Sequence, residues 1–479
     1  MRIVYMPVIS AKNVQAASSY QFFLSWRRQM LKMHPETFFY VVAPRVHAGA
    51  PWHDGADWTG PRTEVIYAEM NGSMYEDLAL VTREFFDRFN ERFGDLYFDL
   101  IVTERPMVAP ILKRLASFYI PSKSRTPLVI TRDQFVISKD YNPASDNLEM
   151  LESLGWISGP VIFQSDHQAE RAVTVARRYF KPAVVQRLIE NTKIFPLGID
   201  CEDVDQQNLE ERSMKNERIT INYSHKLFLA QSFLQSFAIM DSVMAGGRDV
   251  GLQIVTGSSQ IKMDMIEKAR KFKYFDFYGS QSRKQFLRQM AKAHIFVSNS
   301  VYEDFSATVV EQLYTGLLPV MLDAPWSRYL VGDEYPYLFK TMQEGHAMLR
   351  YVVDNYEKVR DEWQQTLQDR MKELFDLAHI IPDMADWFQQ QHDERISKLK
   401  WGPGLSQVLD DAWEALPDEF DLPMFYKAIK AVARSVDVTK DNEGMSTSAW
   451  HCMDYLQKKF DMEDLGTAQP SYRKRGVKA

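Results

Sequence analysis

Cysteine is scarce: Cys201 and Cys452 are the only two in 479 residues. They stand far apart with no metal-ligand spacing, which argues against a disulfide framework or a zinc cluster and fits a reducing compartment. Long apolar runs are missing as well. No uninterrupted stretch approaches the ~20 residues that cross a bilayer, and the opening MRIVYMPVIS has too short an apolar run for a secretory signal. The chain is therefore expected to be cytoplasmic and to lack an integral membrane segment. Positive charge is not in excess: the formal net charge of −7 argues against a nucleic-acid binder by bulk charge. The G-x-G-x-x-G fingerprint, the Walker A lysine loop and the G-x-S-x-G elbow do not occur. No internal repeat or low-complexity tract stands out. Asp203-Val204-Asp205 is an Asp-x-Asp string in what reads as a polar linker, so it is taken as chance, and no metal site is expected.

What is present is the composition of a soluble globular protein, with 45% hydrophobic and 25% charged residues. The length exceeds one ordinary core, so two or more domains are expected. Short apolar runs alternate with longer amphipathic segments. RIVYMPV, FFYVVAP, FDLIVTE, PLVIT and GPVIFQS read as strands, and SSYQFFLSWRRQMLKMH, MYEDLALVTREFFDRFNERFG and QAERAVTVARRYF as helices. TKIFPLGID reads as a short strand leaving this unit. The pattern then restarts with the strands RITINYS, VGLQIVTGS, FDFYGS, HIFVSNS and LLPVML, again separated by helical segments. Such alternation predicts parallel βαβ units and doubly wound sheets. The expected fold class is α/β, with two facing Rossmann-like domains and a C-terminal helical extension. The expected limits are 1–200, 201–380, a returning helix over 381–400, and a helical appendage with a basic tail over 401–479.

The stretch VYEDFSATVVEQLYTGLLPVM, Val301 to Met321, sets Glu303 and Glu311 eight positions apart around a patch of small residues. The free N–H groups of a helix start favour phosphate. Ser306 and Ala307 let a ligand approach that backbone, and Glu311, two turns in, can accept hydrogen bonds from a sugar or ribose diol. The plain alternative is a capped helix carrying a solvated glutamate.

The neighbouring text resembles the nucleotide-binding half of GT-B glycosyltransferases of the retaining family-4 type. Tyr278-Gly279, QFLRQMAKAHIFVSNS, Glu303 with Glu311, and Gly316-Leu317-Leu318-Pro319-Val320 occur in that family's order. SRYLVGDEYPYLF is similar to the segment that follows. IFPLGID, Ile194 to Asp200, is similar to the interdomain segment, with Leu197 where asparagine is usual. The likeness runs over roughly residues 1–395 and is strongest over 194–339. It implies that Glu303 contacts the donor sugar, that Glu311 holds the ribose, and that the backbone of Phe305, Ser306 and Ala307 supports sugar and diphosphate. Gly279 and Ser280 join the donor side. The family's diphosphate cations point to Lys226, with His225 and Ser224 beside it, although Phe228 stands about where a second base is usual. On the acceptor side Arg132 takes the place of the family's histidine and is suited to bidentate phosphate binding. Asp133 and His167 are further candidates, each with a plain reading as a strand-end or helix-cap group. The catalytic set implied is Glu303, Lys226 and Asp133.

The function implied is retaining transfer of a sugar from a nucleotide-diphosphate sugar to an acceptor hydroxyl, with no other cofactor required. In such enzymes the leaving phosphate takes the acceptor proton, and positioning and charge carry the rate. Over 401–479, a short helix, a turn, a capped helix and the basic end SYRKRGVKA fit a helix-turn-helix-like DNA contact, a docking domain or a tail. A hydroxylated base in double-stranded DNA is therefore one expected acceptor; glycans, lipids and small molecules are others. A binding protein on a degenerate GT-B scaffold, and an epimerase or phosphorylase, are the alternatives from other classes.

Overall fold

A computed structural model of the chain describes residues 1–7, 18–45, 57–69, 98–119, 127–133, 146–224, 230–256, 266–267, 269–279, 282–301, 305–397, 413–414, 416–421, 424, 427–428, 460–464 and 471–477. The expected helix MYEDLALVTREFFDRFNERFG lies outside them.

The first sheet contains β1 (Arg2–Met6), β2 (Phe38–Arg45), β3 (Thr63–Glu69), β4 (Leu100–Thr103), β5 (Leu128–Arg132), β6 (Val161–Phe163) and β7 (Thr192–Ile194). All neighbours are parallel, in the order β3-β2-β1-β4-β5-β6-β7. Around it lie α1 (Ser18–Met33), α2 (Ala109–Tyr119), α3 (Asp146–Trp156), α4 (Asp166–Ala176) and α5 (Pro182–Glu190). The central strands are buried on both faces, so Ile3–Met6 of β1 is apolar without alternation. The edge strand β3 escapes a reading by apolar runs because Thr63, Glu64, Tyr67 and Glu69 interrupt it.

Residues 201–213, expected as a polar linker, instead form the helix α6 (Cys201–Ser213). Its start is set by Asp200, whose Oδ1 accepts the Asp203 N–H at 3.1 Å, and by Glu202 and Asp203 in the first turn, where carboxylates suit the helix dipole.

The second sheet holds β8 (Thr220–Tyr223), β9 (Gly251–Thr256), β10 (Tyr274–Gly279), β11 (Ile295–Ser298), β12 (Leu318–Leu322) and β13 (Leu338–Phe339), all parallel, in the order β10-β9-β8-β11-β12-β13. Its helices are α7 (Ala230–Ala245), α8 (Arg283–Ala291), α9 (Ala307–Tyr314) and α10 (Pro325–Val331). Gly316, at φ +89°, ends α9 in the left-handed conformation that lets the chain turn into β12.

The helical extension is α11 (Met342–Asp354), α12 (Tyr356–Phe375) and α13 (Leu377–Ser397). The chain crosses between the sheets twice, and the two crossings hydrogen-bond to each other. Ile199 N–H donates to Phe375 O at 2.8 Å, and Leu377 N–H donates to Ile199 O at 2.8 Å. Gly198 has φ +65°, and a Cβ there would stand 2.7 Å from Phe375 O, so the crossing requires glycine. Leu197 is buried in the core at this point. Helix α13 then returns to the first unit: Phe388 meets Trp26 of α1 with ring centroids 5.7 Å apart, and Trp387 meets Phe195 at 5.9 Å.

The appendage departs from its helical expectation. Among its described residues β14 (Glu419–Asp421), β16 (Ser471–Val477) and β15 (Phe460–Asp464) form an antiparallel sheet in that order. Phe460, read as the end of a helix, begins β15, and Ser471–Val477 of the basic tail is the strand β16. Arg473 pairs with Glu419 at 2.6 Å, and Lys474 Nζ donates to Leu416 O at 2.8 Å while lying 5.0 Å from the Trp413 ring centre.

Candidate functional site

In each large sheet the strand order reverses once: between β1 and β4 in the first, between β8 and β11 in the second. Open α/β sheets hold ligands at the carboxyl ends of strands beside such a reversal. The two switch points differ in chemistry.

At the second, α9 begins just beyond β11. Ser306 caps it, its Oγ accepting the Val309 N–H at 3.4 Å, which leaves other first-turn N–H groups for an anion. Phe305 is buried against Phe375, 5.5 Å between ring centres, and anchors this run. Glu311 is not the solvated glutamate of the plain reading. It is buried, and its Oε1 pairs with Arg283 Nη2 at 2.5 Å. Arg283 opens α8, whose start is set by a capping box between Ser282 and Gln285. Burial pulls the Arg283 pKa down, but Glu311, then Asp203 and Asp200, more than offset this and hold it above its ordinary value. Its Nε has no hydrogen-bond partner among the described residues. Gly279 ends β10, paired in register with Thr256.

A line of neutral amides lies beneath. Asn222 Nδ2 donates to Gln312 Oε1 at 2.8 Å and to Ser224 Oγ at 2.7 Å. Gln253 Nε2 donates to Asn222 Oδ1 at 3.0 Å and to Gln289 O at 2.9 Å. Gln312 follows Glu311, so this network fixes the rotation of α9. Sequence reading missed it and also missed Arg283. The available signal was a single amide inside each of two apolar strands, TINY and GLQIVT.

At the first switch point the groups are charged and aromatic. Arg132 ends β5, 1% exposed, and its Nη1 pairs with Glu104 Oε1 at 2.6 Å. Its guanidinium carbon lies 3.7 Å from the Phe22 ring centre. Tyr5 Oη donates to the same Glu104 oxygen at 2.8 Å; burial first, then Glu104, raises the Tyr5 pKa well above its usual value. Arg132 Nε and Nη2 have no hydrogen-bond partner among the described residues. Asp133 Oδ2 accepts Trp156 Nε1–H at 2.7 Å, and its carbonyl accepts from Gln164 and Gln168, so these contacts tie the residue into the first unit. His167 is half-buried in the first turn of α4, beside the cap Ser165.

Across the junction of the units, a charge at the start of α4 acts on a tyrosine of α10. Burial, then the Asp166 carboxylate, pushes the Tyr329 hydroxyl up to about 12. Among the expected site residues, Arg132 and Asp133 adjoin at one switch point, and Phe305, Ser306, Ala307 and Glu311 gather at the other. Glu303, Lys226, His225 and Ser280 lie outside the described residues. Among the described residues no group of three His, Cys, Asp or Glu could hold a metal ion, and no helix is long and apolar enough to cross a membrane.

No protein-family model matches the chain, and no curated protein matches it by sequence. Solved structures do match in fold. The sucrose-phosphate synthase of Thermosynechococcus elongatus is 14% identical with a TM-score of 0.60, over 82% of this chain and 100% of the other. The catalytic domain of starch synthase IV from Arabidopsis thaliana, bound to ADP and acarbose, is 10% identical with a TM-score of 0.61, over 82% and 99%. An E. coli protein described as trehalose-6-phosphate and bound with UDP-2-fluoro glucose is 10% identical with a TM-score of 0.55, over 81% and 99%. At these identities the likeness is one of architecture: the chain has the GT-B fold, two doubly wound parallel sheets joined by paired crossings and closed by a helical C-terminal part.

Proposed function

We propose that the chain is a glycosyltransferase that moves a sugar from a nucleotide-diphosphate sugar to an acceptor hydroxyl with retention of configuration. The observation that carries this reading is Glu311, a buried carboxylate on the helix at the second switch point, with Oε1 held by Arg283. In this reading its other oxygen accepts from the ribose diol, and Glu303 binds the donor sugar. The backbone of Phe305, Ser306 and Ala307, with Gly279 and Ser280, receives the diphosphate, and Lys226 with His225 supplies positive charge. Solved structures of similar fold hold ADP or a UDP-sugar, which supports a nucleotide-sugar donor. Residues 1–200 then form the acceptor unit, 201–380 the donor unit and 381–400 the returning helix.

Arg132, Asp133 and His167 stand on the acceptor side. The unpartnered Nε and Nη2 of Arg132 support its role toward an anionic group. In the reaction the glycosidic C–O bond to the leaving phosphate breaks, the acceptor oxygen bonds to the same face of the sugar carbon, and its proton passes to the departing phosphate. The protein's part is positioning and charge stabilisation.

A thermal-shift series with UDP-, GDP-, ADP- and TDP-sugars tests the donor. One of them should stabilise the chain, and E311Q should weaken that nucleotide by about 10- to 100-fold, the scale of hydrogen bonds to a charged group. Full donor affinity in E311Q refutes the site. Proton NMR of the product decides retention. Hydroxylated DNA, glycans and small alcohols form the acceptor arms. The contacts of Arg473 and Lys474 within the appendage sheet remove part of the charge on which a DNA contact rested.

A further inference from the structure

We infer that Arg283 is a positioning residue that ties Glu311 to the crossing between the two units, by way of Asp200 and Arg28. The inference rests on the reading of Glu311 as the ribose carboxylate and adds a coupling between donor binding and the junction of the units.

The charges alternate across the junction. Arg28 and Ser25 belong to α1, on the first sheet; Arg28 pairs with Asp200 Oδ2, and Ser25 Oγ donates to the same oxygen at 2.7 Å. Asp200 follows Ile199, the residue through which the two crossings hydrogen-bond. Its other oxygen caps α6. Helix α6, whose start Asp200 caps, lies against α8, where Arg288 Nε donates to Gln207 O at 3.2 Å; this brings Asp200 and Asp203 close enough to favour the charge of Arg283, which pairs with Glu311 at 2.5 Å. The sequence of charges is thus Arg28, Asp200, Arg283, Glu311, plus and minus in turn.

Burial decides where this series is firm. Glu311 is 6% exposed and Arg283 17%, so their pair is poorly screened. Arg28 is 39% exposed, so its link to Asp200 is the one that solvent weakens and that a small rotation of the units breaks first. Without Arg28, the Asp200 charge is less neutralised and competes more strongly with Glu311 for the guanidinium. Glu311 then loses the orientation that a ribose diol needs. Linkage makes the effect reciprocal: a nucleotide that orders Glu311 favours the arrangement in which Arg28 holds Asp200.

The test is a double-mutant cycle on the full chain, read as the dissociation constant of whichever of UDP, GDP, ADP or TDP binds the wild type best. R283Q should weaken binding about tenfold or more and R28M about fivefold, within the usual range of coupling between sites. R28M should have no further effect once R283Q is present. R283K should recover most of the affinity, because an ammonium still separates the carboxylates. Thermal unfolding of each variant confirms folding, and a purely structural role would lower stability without this dependence on background. Independent, multiplying losses overturn the inference, as does R283Q binding like wild type or R283K binding as weakly as R283Q. If the wild type binds none of the four nucleotides, the donor reading falls and this inference falls with it.

Discussion

The two large sheets share a winding order and differ in what lies at their switch points. The first unit buries an ion pair, Arg132 with Glu104, braced by Tyr5 and Phe22. The second buries neutral amides, Asn222, Gln253 and Gln312, and carries its ion pair, Arg283 with Glu311, at the start and on the flank of helices. Neutral amides orient a helix without a strong field, which leaves the charge near α9 to Glu311 and its partner. A buried ion pair orients as well, but breaking it strands a charge. The same topology is therefore stiffened in two ways, and substitution should separate them.

The largest effect is expected in the first unit. R132M leaves Glu104 buried without its cation and should destabilise the chain by about 3–5 kcal/mol in denaturant unfolding. The double variant R132M/E104Q should recover much of that loss, because no uncompensated charge remains. A double variant as unstable as R132M would show that packing against Phe22, and not charge, dominates.

In the second unit N222A should cost less, about 1–3 kcal/mol, since it leaves neutral Gln253 and Gln312 groups short of a partner. Urea midpoints of the two variants, compared side by side, measure the difference between the devices. Equal losses would erase the distinction.

The smallest effect concerns the latch between them. His392 of α13 pairs through Nε2 with Asp99 Oδ1 at 2.8 Å, and Asp99 Oδ2 accepts the Arg2 N–H at 2.7 Å. Burial disfavours the His392 charge, but Asp99 overrides it and the histidine pKa is raised; burial likewise opposes the Asp99 charge, yet His392 and the Arg2 N–H hold its pKa far below the usual range. For the histidine the contribution is complete below its unfolded value of about 6.5 and fades as pH rises through the higher folded value. For the aspartate it is complete above its unfolded value of about 3.9 and fades as pH falls through the lower folded value. H392F should lose about 1–2 kcal/mol near pH 6 and much less at alkaline pH, followed as thermal midpoint against pH. An unchanged pH profile would remove the latch.

Much of the fold was legible because it depends on period. RIVYM, FFYVVAP and TINY are short apolar runs between amphipathic segments, and buried parallel strands must look that way. The failures have equally local causes. Edge strand β3 is broken by polar residues, and α6 looks like a linker because its acids outnumber its apolar residues. At the proposed site, Glu311 is singled out by its spacing from Glu303 together with the resemblance of the text around it. Arg283 is not, because it sits 28 positions away on another helix and nothing in SRKQFLRQM sets it apart from a solvated lysine or arginine.

Most of the elements of the two large units, and their alternation, follow from the sequence alone, because hydrophobic period and capping act over a few residues. The sequence also determined which helix start carries the small residues and the glutamate. Only the tertiary structure decided that Glu311 is buried and shared with Arg283, that Asp200 faces Arg28 across the crossing, and that Arg132 is paired with Glu104. Those are contacts between residues far apart in the chain, and their burial depends on how sheets and helices close over them, which no local pattern encodes.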